Sequence, residues 1–248
     1  MNSLALLALL SAPPAASPIV TVGIAGIAIT MALLLAVALW RTKSASLPLA
    51  VGVIVGWMAL WAGLAAAGVF SDFASMPPRP AMIFIGTIAG GLALGLSSWG
   101  RQIALRVPLW GLILAQGFRL PLELVMHQAA DEGTMPHVMT FWPGLNQDIV
   151  TGTTAIIVAL LVWRGAPRWL ALAWNILGLV LLGVIAVVAF AASPMVRAWG
   201  DDQVNTWVVH PPFVWLPTVL VLIALAGHIV VFRRLRADRA SAKSVTAS

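Results

Sequence analysis

Four polar side chains interrupt an otherwise apolar stretch of the sequence: Gln116, Arg119, Glu123 and His127. Their spacings of three, four and four residues place them on one face of a helix, because an α-helix repeats every ~3.6 residues. An ionised arginine or glutamate that faces lipid costs several kcal/mol, so this face must turn towards the interior of a bundle or a wet cavity. We therefore predict that these four residues line a ligand-binding cavity.

The pair Arg119 and Glu123 has two interpretations. As an i,i+4 ion pair it would lock helix packing and have only a structural role. In a cavity that faces outward, Arg119 would attract a small anionic or amphipathic ligand, Glu123 would balance its charge or exchange a proton, and His127 would stand at the mouth. Pro121 removes one backbone donor and predicts a kink that frees the carbonyl of Gly117.

The segment that follows, residues 128–147, is long for a connection between membrane helices. Long ordered connections often serve as lids or binding loops, and we predict a lid here. The segment contains Asn146, and Asp148 comes directly after it. Either residue can cap the next helix. Both are also candidates for ligand binding together with Gln116.

Three of the four histidines, His127, His137 and His210, are predicted to lie on the same side of the membrane as Glu123. This set suits zinc, through neutral imidazoles and a carboxylate, or haem, through two axial histidines. Hydrogen-bonded histidines at a wet interface are the alternative. A metal- or haem-dependent membrane enzyme is therefore a second hypothesis. A structural or assembly protein is a third.

The composition indicates the environment of these residues. The chain has 248 residues, of which 61% are hydrophobic and 9% charged, values typical of an integral membrane protein. It contains no cysteine, which excludes disulfides, thiolate metal sites and cysteine nucleophiles. Its two lysines, Lys43 and Lys243, lie outside the apolar stretches, which excludes a Schiff base within a span. We expect the lipid bilayer as partner, a small molecule or lipid as possible ligand, and no nucleic acid.

Seven stretches approach or exceed the ~20 apolar residues that a membrane-spanning helix needs. They cover residues 19–40, 47–70, 81–97, 108–127, 148–163, 169–192 and 213–232. The predicted fold is thus an all-α bundle of seven transmembrane helices within residues 19–232. Residues 1–18 would form an extracytoplasmic segment and residues 233–248 a cytoplasmic basic tail, disordered from residue 239 onward.

The orientation follows from the positive charges. Eleven of the fourteen lysines and arginines fall at one set of alternating span ends, namely Arg41, Lys43, Arg101, Arg106, Arg164, Arg168, Arg233, Arg234, Arg236, Arg239 and Lys243. Because positive residues accumulate in cytoplasmic loops, we place these ends inside. The N-terminus is then outside and the C-terminus in the cytoplasm.

Several smaller features predict helix packing. Asn175 and His228 each stand alone in a span, where a packed side chain or a hydrogen bond between helices is expected. Glycines four residues apart allow membrane helices to approach closely. We expect three such pairs to pack within the chain rather than against a second copy: Gly52/Gly56, Gly86/Gly90 and Gly91/Gly95.

Three motifs in the second half of the chain resemble a family of bacterial inner-membrane proteins. They are Phe118-Arg119-x-Pro121-x-Glu123-x-x-x-His127, Met139-Thr140-Phe141 with Gly144-x-Asn146-x-Asp148-Ile149, and Pro212-Phe213-x-Trp215-Leu216-Pro217. The resemblance implies a multi-pass protein of a bacterial inner membrane. That family has no assigned activity, so the resemblance supplies no substrate and no catalytic residue.

Overall fold

The computed structural model of the chain describes residues 12–73, 75 and 78–246. Within these residues the secondary structure is helical and contains no strand. This confirms the predicted all-α class. The expectations for residues 1–11, which are most of the predicted N-terminal segment, and for residues 247–248 lie outside the described residues.

Nine α-helices lie within the described residues, and the longest connections between them follow α2, α6 and α8. Their bounds are α1 Pro18–Arg41, α2 Leu47–Ala66, α3 Ala81–Leu96, α4 Ser98–Arg106, α5 Leu109–Leu114, α6 Arg119–Asp131, α7 Asp148–Trp163, α8 Arg168–Ala191 and α9 Leu222–Thr246. Tighter 3-10 turns occur at Val69–Ser71, Ala115–Phe118, His137–Met139, Asp201–Gln203 and Trp207–Val209, and a π-helical segment, Leu216–Val221, leads into α9. Helices α1 and α2 each have a serine as N-cap and a proline at the first or second helical position, a sequence that favours a helix start.

Five helical stretches are long and apolar enough to cross a membrane: Pro18–Arg41, Leu47–Ala66, Leu109–Asp131, Arg168–Ala191 and Leu216–Ala240. A sixth results if α3 and α4, which meet at a bend of 56°, are taken as one span. At this bend Ser97 accepts a hydrogen bond from the N–H of Gly100 and so caps α4. Helix α7 is apolar but has only 16 residues. The chain is thus a helical bundle with the apolar helices of a membrane protein.

The span Leu109–Asp131 is not a uniform α-helix. It tightens into a 3-10 turn at Ala115–Phe118, shortly before Pro121. Because Pro121 has no N–H to offer the carbonyl of Gly117, the regular hydrogen-bond ladder cannot continue there. The distortion predicted at Pro121 therefore takes the form of a change in helix type.

Helix α9 lies at the centre of the bundle and α2 at its edge. Over half of the apolar part of Leu216–Ala240, 56%, is buried, against 17% for α2. Helix α9 packs against α3, α4, α5 and α8, whereas α2 packs mainly against α1. Because of this difference in burial, glycine pairs on α3 contact a neighbouring helix, whereas the pair on α2 does not.

Two of the three glycine pairs pack within the chain as predicted. A Cβ added to Gly91 or Gly95 would lie 2.8 Å from Leu225 or 2.9 Å from Ile229, so these glycines let α3 approach α9. Gly86 and Gly90 likewise meet side chains, those of Trp61 and Leu222. The prediction is wrong for Gly52 and Gly56, which have nothing within 4 Å because their face of α2 turns away from the bundle.

Arginines at the predicted inner ends bind backbone carbonyls that helix termini leave without partners. Arg233 donates to the carbonyls of Gly95 and Ser97 at 2.6 and 2.9 Å, at the end of α3. Arg106 donates to the carbonyl of Thr42 at 2.6 Å, just after α1. Because the last carbonyls of a helix lack an intrahelical donor, these contacts stabilise the helix ends.

The C-terminal tail is more ordered than expected. Helix α9 continues to Thr246, so the predicted disorder from residue 239 is wrong as far as residue 246. The reason lies in the composition, since residues 228–246 contain no glycine or proline and are rich in alanine and arginine, which favour helices. A polar sequence alone did not distinguish an extended helix from a disordered tail.

At the opposite end of the bundle, the residues before α1 contact the segment after α6. The backbone N–H of Ser17 donates to Glu132 at 3.0 Å, and the hydroxyl of Thr134 donates to the carbonyl of Ala15 at 2.7 Å. Hydrogen bonds from Gln128 and from Ser17 lower the pKa of the exposed Glu132 carboxyl below its ordinary value.

Candidate functional site

Arg119 is enclosed in the centre of the bundle, with 1% of its surface exposed. Its Nη1 donates to Oδ1 of Asp148 on α7 at 2.6 Å, and its Nη2 lies 3.2 Å from Nε2 of His228 on α9. A guanidinium can only donate, so Nε2 of His228 must be the acceptor. The hydrogen bonds therefore assign His228 as a neutral imidazole with its proton on Nδ1.

The second ring nitrogen of His228 faces α8. Its Nδ1 donates to Oδ1 of Asn175 at 2.8 Å, and Nδ2 of Asn175 donates back to the backbone carbonyl of His228 at 3.1 Å. This confirms that Asn175 makes a hydrogen bond between helices and that His228 is packed inside the bundle. We name Arg119, Asp148, His228 and Asn175 the Arg119 cluster; it joins α6, α7, α8 and α9.

The predicted ion pair between Arg119 and Glu123 is wrong, because Asp148 is the carboxylate that binds the guanidinium. Helix α7 comes close enough for this contact through Gly152, where an added Cβ would overlap the backbone of Leu120. Arg119 thus forms its ion pair with a carboxylate of another helix and not with the carboxylate four residues further along its own helix.

Glu123 instead binds an amide. Both of its carboxylate oxygens accept from Nδ2 of Asn146, at 2.8 and 2.9 Å. The side-chain oxygen of Asn146 accepts from the backbone N–H of Asp148 at 3.0 Å, so Asn146 also supports the start of α7. Asn146 thus binds both the Glu123 carboxylate and the first N–H of α7, although the N-cap position itself is Gln147, whose side chain makes no capping hydrogen bond. Its predicted role in ligand binding stays a prediction.

A cavity of about 220 Å³ begins beside Glu123; we name it the outer cavity. Glu123, Asn146 and Asp148 form its polar floor. Its walls are mainly apolar and come from α3, α8, the segment before α9 and the π-helical segment, with Ile83, Phe84, Ile185, Phe190, Val208 and Leu216 among them. The combination of an acidic floor and apolar walls suits a ligand with a polar head and an apolar body.

Three further polar atoms of the lining have no hydrogen-bond partner among the described residues: Oγ1 of Thr87, Oγ of Ser193 and Oδ1 of Asn205. Thr87 is 3% exposed and Asn205 7% exposed. A buried polar group without a partner costs roughly 1–3 kcal/mol, so such groups are rare unless something else satisfies them. All three oxygens can accept hydrogen bonds from a bound molecule.

Other predicted site residues lie away from the outer cavity. Arg119 is behind Asp148 and is not part of the lining. Gln116 is 2% exposed and lies against α9, where its amide is 3.5 Å from the carbonyl of Ala224. Of the six predicted ligand-binding residues, Glu123, Asn146 and Asp148 line the cavity, and Gln116, Arg119 and His127 do not.

The predicted metal set is not assembled. His127 lies 4.0 Å from Asp131 and packs on Phe141, with ring centroids 4.9 Å apart, while Glu123 faces Asn146. His137 is exposed, whereas His210 is buried, and burial lowers the pKa of the His210 imidazole. Within residues 12–73, 75 and 78–246, no three His, Cys, Asp or Glu side chains are grouped to hold a metal ion. The four residues face different neighbours because they come from a helix and from two separate loops.

The segment predicted as a lid is a compact loop that forms part of the cavity wall. The N–H of Leu145 donates to the carbonyl of Val138 at 2.9 Å, and the N–H of Asn146 donates to the carbonyl of Thr140 at 3.0 Å. A side chain at Gly144 would overlap the backbone of His137 and Thr140, so this turn requires glycine. The loop therefore serves to position Asn146 above Glu123.

A second, larger cavity of about 440 Å³ lies nearer the predicted inner side, between α1, α2, α3 and α9. Its lining contains no charged side chain, and its Thr218 hydroxyl already donates to the carbonyl of Val214 at 2.7 Å. The π-helical segment separates the two cavities, since Leu216 and Pro217 face the outer one and Thr218 the inner one. Of these two cavities, only the outer one combines apolar walls with carboxylates.

No protein-family model, curated protein or solved structure matches this chain. The function is therefore interpreted from the chemistry of the site.

Proposed function

We propose that this chain is a multi-pass membrane protein that binds or transports a small amphipathic ligand in the outer cavity. The polar head of the ligand would lie at Glu123 and Asp148, and its apolar body between α3 and α8. The observation that supports this most is that the side-chain oxygens of Thr87, Ser193 and Asn205, which line the same cavity as the carboxylates, have no hydrogen-bond partner in the part of the chain that the structure describes. These groups are left for a ligand that donates hydrogen bonds.

The charges of the lining favour a head that is cationic or rich in hydrogen-bond donors. The sequence led us to expect an anionic or amphipathic ligand, with Arg119 as the attracting charge. Arg119 is engaged by Asp148 and His228 and does not line the cavity. The lining offers carboxylates and neutral oxygens, so of the two expected classes we retain the amphipathic ligand and not the anionic one.

We also propose the seven-span topology with the N-terminus outside, in a bacterial inner membrane. In this arrangement α3 makes the third crossing, α4 lies at the inner surface, and α7 makes a short fifth crossing. The arginines at Arg106, Arg233 and Arg234 then lie at inner helix ends, as the positive-inside rule requires. The outer cavity would open towards the periplasmic half of the membrane.

The binding proposal is tested with a photoreactive dodecylamine, an alkylamine with a diazirine on its chain. The protein is reconstituted in lipid nanodiscs, irradiated with the probe, and the labelled residues are identified by mass spectrometry. We expect adducts on α3 and α8 near Phe84 and Phe190, and competition by dodecylamine but not by dodecanoate. Labelling without competition, or competition by dodecanoate alone, would contradict the proposal.

Two glutamates, Glu123 in α6 and Glu132 directly after it, allow a controlled test. Glu123→Gln removes the charge at the cavity floor but keeps the size of the side chain and a partner for Asn146. Glu132→Gln makes the same chemical change at an exposed site. We expect the first variant to lose at least about tenfold in affinity for dodecylamine, as when one charged contact is removed from a buried site. The second should bind as the parent protein does.

A further inference from the structure

The outer cavity is bounded on its lipid side by two helices that are not in extensive contact with each other. Helices α3 and α8 both contribute to the wall, and their closest described ring contact is between Phe84 and Phe190. The two ring centroids are 6.5 Å apart at an interplanar angle of 47°. The pair α3 and α8 is not among the helix pairs in extensive contact. At this point the cavity wall is therefore formed by side chains of two helices that have no extensive contact with each other, with the Phe84–Phe190 ring pair between them.

The outside of this gap faces the surroundings of the bundle. Phe84 is 47% exposed and Phe190 53% exposed. Their neighbours Ile85 and Val187 are exposed as well, at 64% and 68%. Such an apolar surface on a membrane helix contacts lipid chains. Phe84 and Phe190, together with the exposed lining residues Ile85 and Met195, therefore separate the cavity from the bilayer.

The side of the cavity towards the outer loops is more firmly closed. Trp207 is 1% exposed, and its neighbours Val208 and Val209 line the cavity. The loop that contains them is attached to α8 by the N–H of Asn205, which donates to the carbonyl of Ala192 at 2.7 Å. It is attached to the preceding loop by Gln203, whose side-chain oxygen accepts from the N–H of Val138 at 3.0 Å. Moving this loop breaks several hydrogen bonds, whereas parting two rings breaks none.

We infer that the outer cavity exchanges its ligand sideways with the bilayer, through a portal between α3 and α8 that Phe84 and Phe190 close. The ligand is then a membrane-dissolved amphiphile of a single chain, with a cationic or hydrogen-bond-donating head at Glu123 and a chain that extends between the two rings into the lipid. This inference rests on the proposed function, because it assigns the route and the class of the ligand of that same cavity.

The absence of cysteine from the chain allows a direct test of the route. Thr87→Cys introduces one thiol into the cavity, close in size to the residue that it replaces. Two reagents are added to proteoliposomes: a dodecyl maleimide, which dissolves in the bilayer, and a sulfonated maleimide, which stays in water. We expect the dodecyl reagent to label the thiol faster than the sulfonated one. Faster labelling by the sulfonated reagent would overturn the inference.

Changing the two rings shows whether they form the barrier. Phe84→Ala or Phe190→Ala should speed labelling by the dodecyl reagent about two- to tenfold, the effect of losing one aromatic pair. Phe84→Trp should slow it. Leu96→Ala, a lipid-facing change on the same helix at 63% exposure, is the control and should leave the rate unchanged. Equal rates in all four variants would contradict a portal at this position.

The two proposals fail in different ways. Labelling of the cavity thiol does not require recognition of a head group, so it reports the route even if the cavity does not bind amines. In contrast, photolabelling by the diazirine amine at equilibrium should be the same in Leu96→Ala, which changes a residue outside the cavity lining, and in the parent protein, and should fall in Glu123→Gln. Loss of amine binding in Glu123→Gln with no effect of the ring variants on labelling would retain the proposed function and reject the portal.

Discussion

Arg119 and Glu123 lie one turn apart on the same helix, but their surroundings differ. Arg119 is held by a carboxylate and an imidazole from two other helices. Glu123 has one amide partner and faces a cavity in which three side-chain oxygens have no hydrogen-bond partner among the described residues. A buried charge with partners on several helices fixes their packing, whereas a carboxylate at a cavity wall remains available to a ligand. The Arg119 cluster is therefore a structural region and the outer cavity at Glu123 the proposed binding region, although the two residues are only four positions apart in the sequence.

The largest expected effect comes from breaking the Arg119 cluster. Arg119→Leu leaves Asp148 buried without its cation, which we expect to cost about 3–5 kcal/mol of unfolding free energy. It should be measured by unfolding in a detergent that retains the native fold. The double variant Arg119→Leu/Asp148→Leu removes both charges and should recover much of the loss.

The control for this prediction is a pair exposed to water. Nη1 of Arg197 lies 2.8 Å from Oδ1 of Asp201, and the two side chains are 31% and 66% exposed. Arg197→Leu should therefore change stability by no more than about 1 kcal/mol. If Arg119→Leu were as mild as Arg197→Leu, the Arg119 cluster would not be the structural centre of the bundle.

A smaller effect is expected from the glycine that makes room for the cluster. A Cβ at position 178 would lie 2.6 Å from Cε1 of His228. Gly178→Ala should displace the imidazole from Arg119 and destabilise the protein by about 1–3 kcal/mol. Gly183→Ala on the same helix meets nothing within 4 Å and should not destabilise it. Equal thermal unfolding of the two variants would show that the imidazole position is not constrained.

In the outer cavity, by contrast, one substitution should stabilise the protein. Thr87→Val removes a buried hydroxyl that has no partner among the described residues, so stability should rise by about 1 kcal/mol while affinity for dodecylamine falls. Thr30→Val is the control, because the exposed Thr30 hydroxyl donates to the carbonyl of Gly26 of its own helix at 2.7 Å. A loss of stability in Thr87→Val would indicate that its hydroxyl has a structural partner.

The smallest effect concerns Glu132, which lies outside both regions. Hydrogen bonds from Gln128 and Ser17 lower the pKa of its carboxyl below the ordinary value of a glutamate. A lowered pKa means that these contacts stabilise the folded protein fully above the pKa of the unfolded chain, and that this stabilisation is lost as the pH falls through the lowered pKa of the folded protein. A carbon-13 NMR titration should place the midpoint of Glu132 below that of the unfolded protein, and Gln128→Ala should raise it. An unchanged midpoint in that variant would contradict the assignment.

The helices and the polar residues of α6 could be predicted from the sequence because both depend on local patterns. Apolar stretches define spans, and a spacing of three or four residues defines a helix face. The break between α3 and α4 was also close to prediction, since the third span was expected to end at Ser97. These features need no knowledge of how distant segments pack.

The partners of the polar residues could not be predicted in the same way. Asp148 is 29 residues from Arg119, and His228 is 109 residues away. Helical spacing favours only the local carboxylate, Glu123, and so gave the wrong ion pair. The signal that could have helped is Gly152, one turn after Asp148, because a glycine at that position allows α7 to approach α6 closely. The outer cavity depends on the positions of α3 and α8, which no local pattern specifies.

The central claim is that the structural and binding roles are divided between Arg119 and Glu123. It is tested most directly by measuring unfolding and dodecylamine binding for Arg119→Leu and Glu123→Gln in the same nanodisc preparation. The account predicts that Arg119→Leu loses stability, whereas Glu123→Gln keeps its unfolding temperature and loses binding. If Glu123→Gln unfolds as easily as Arg119→Leu, or binds the amine as well as the parent protein does, the division is wrong.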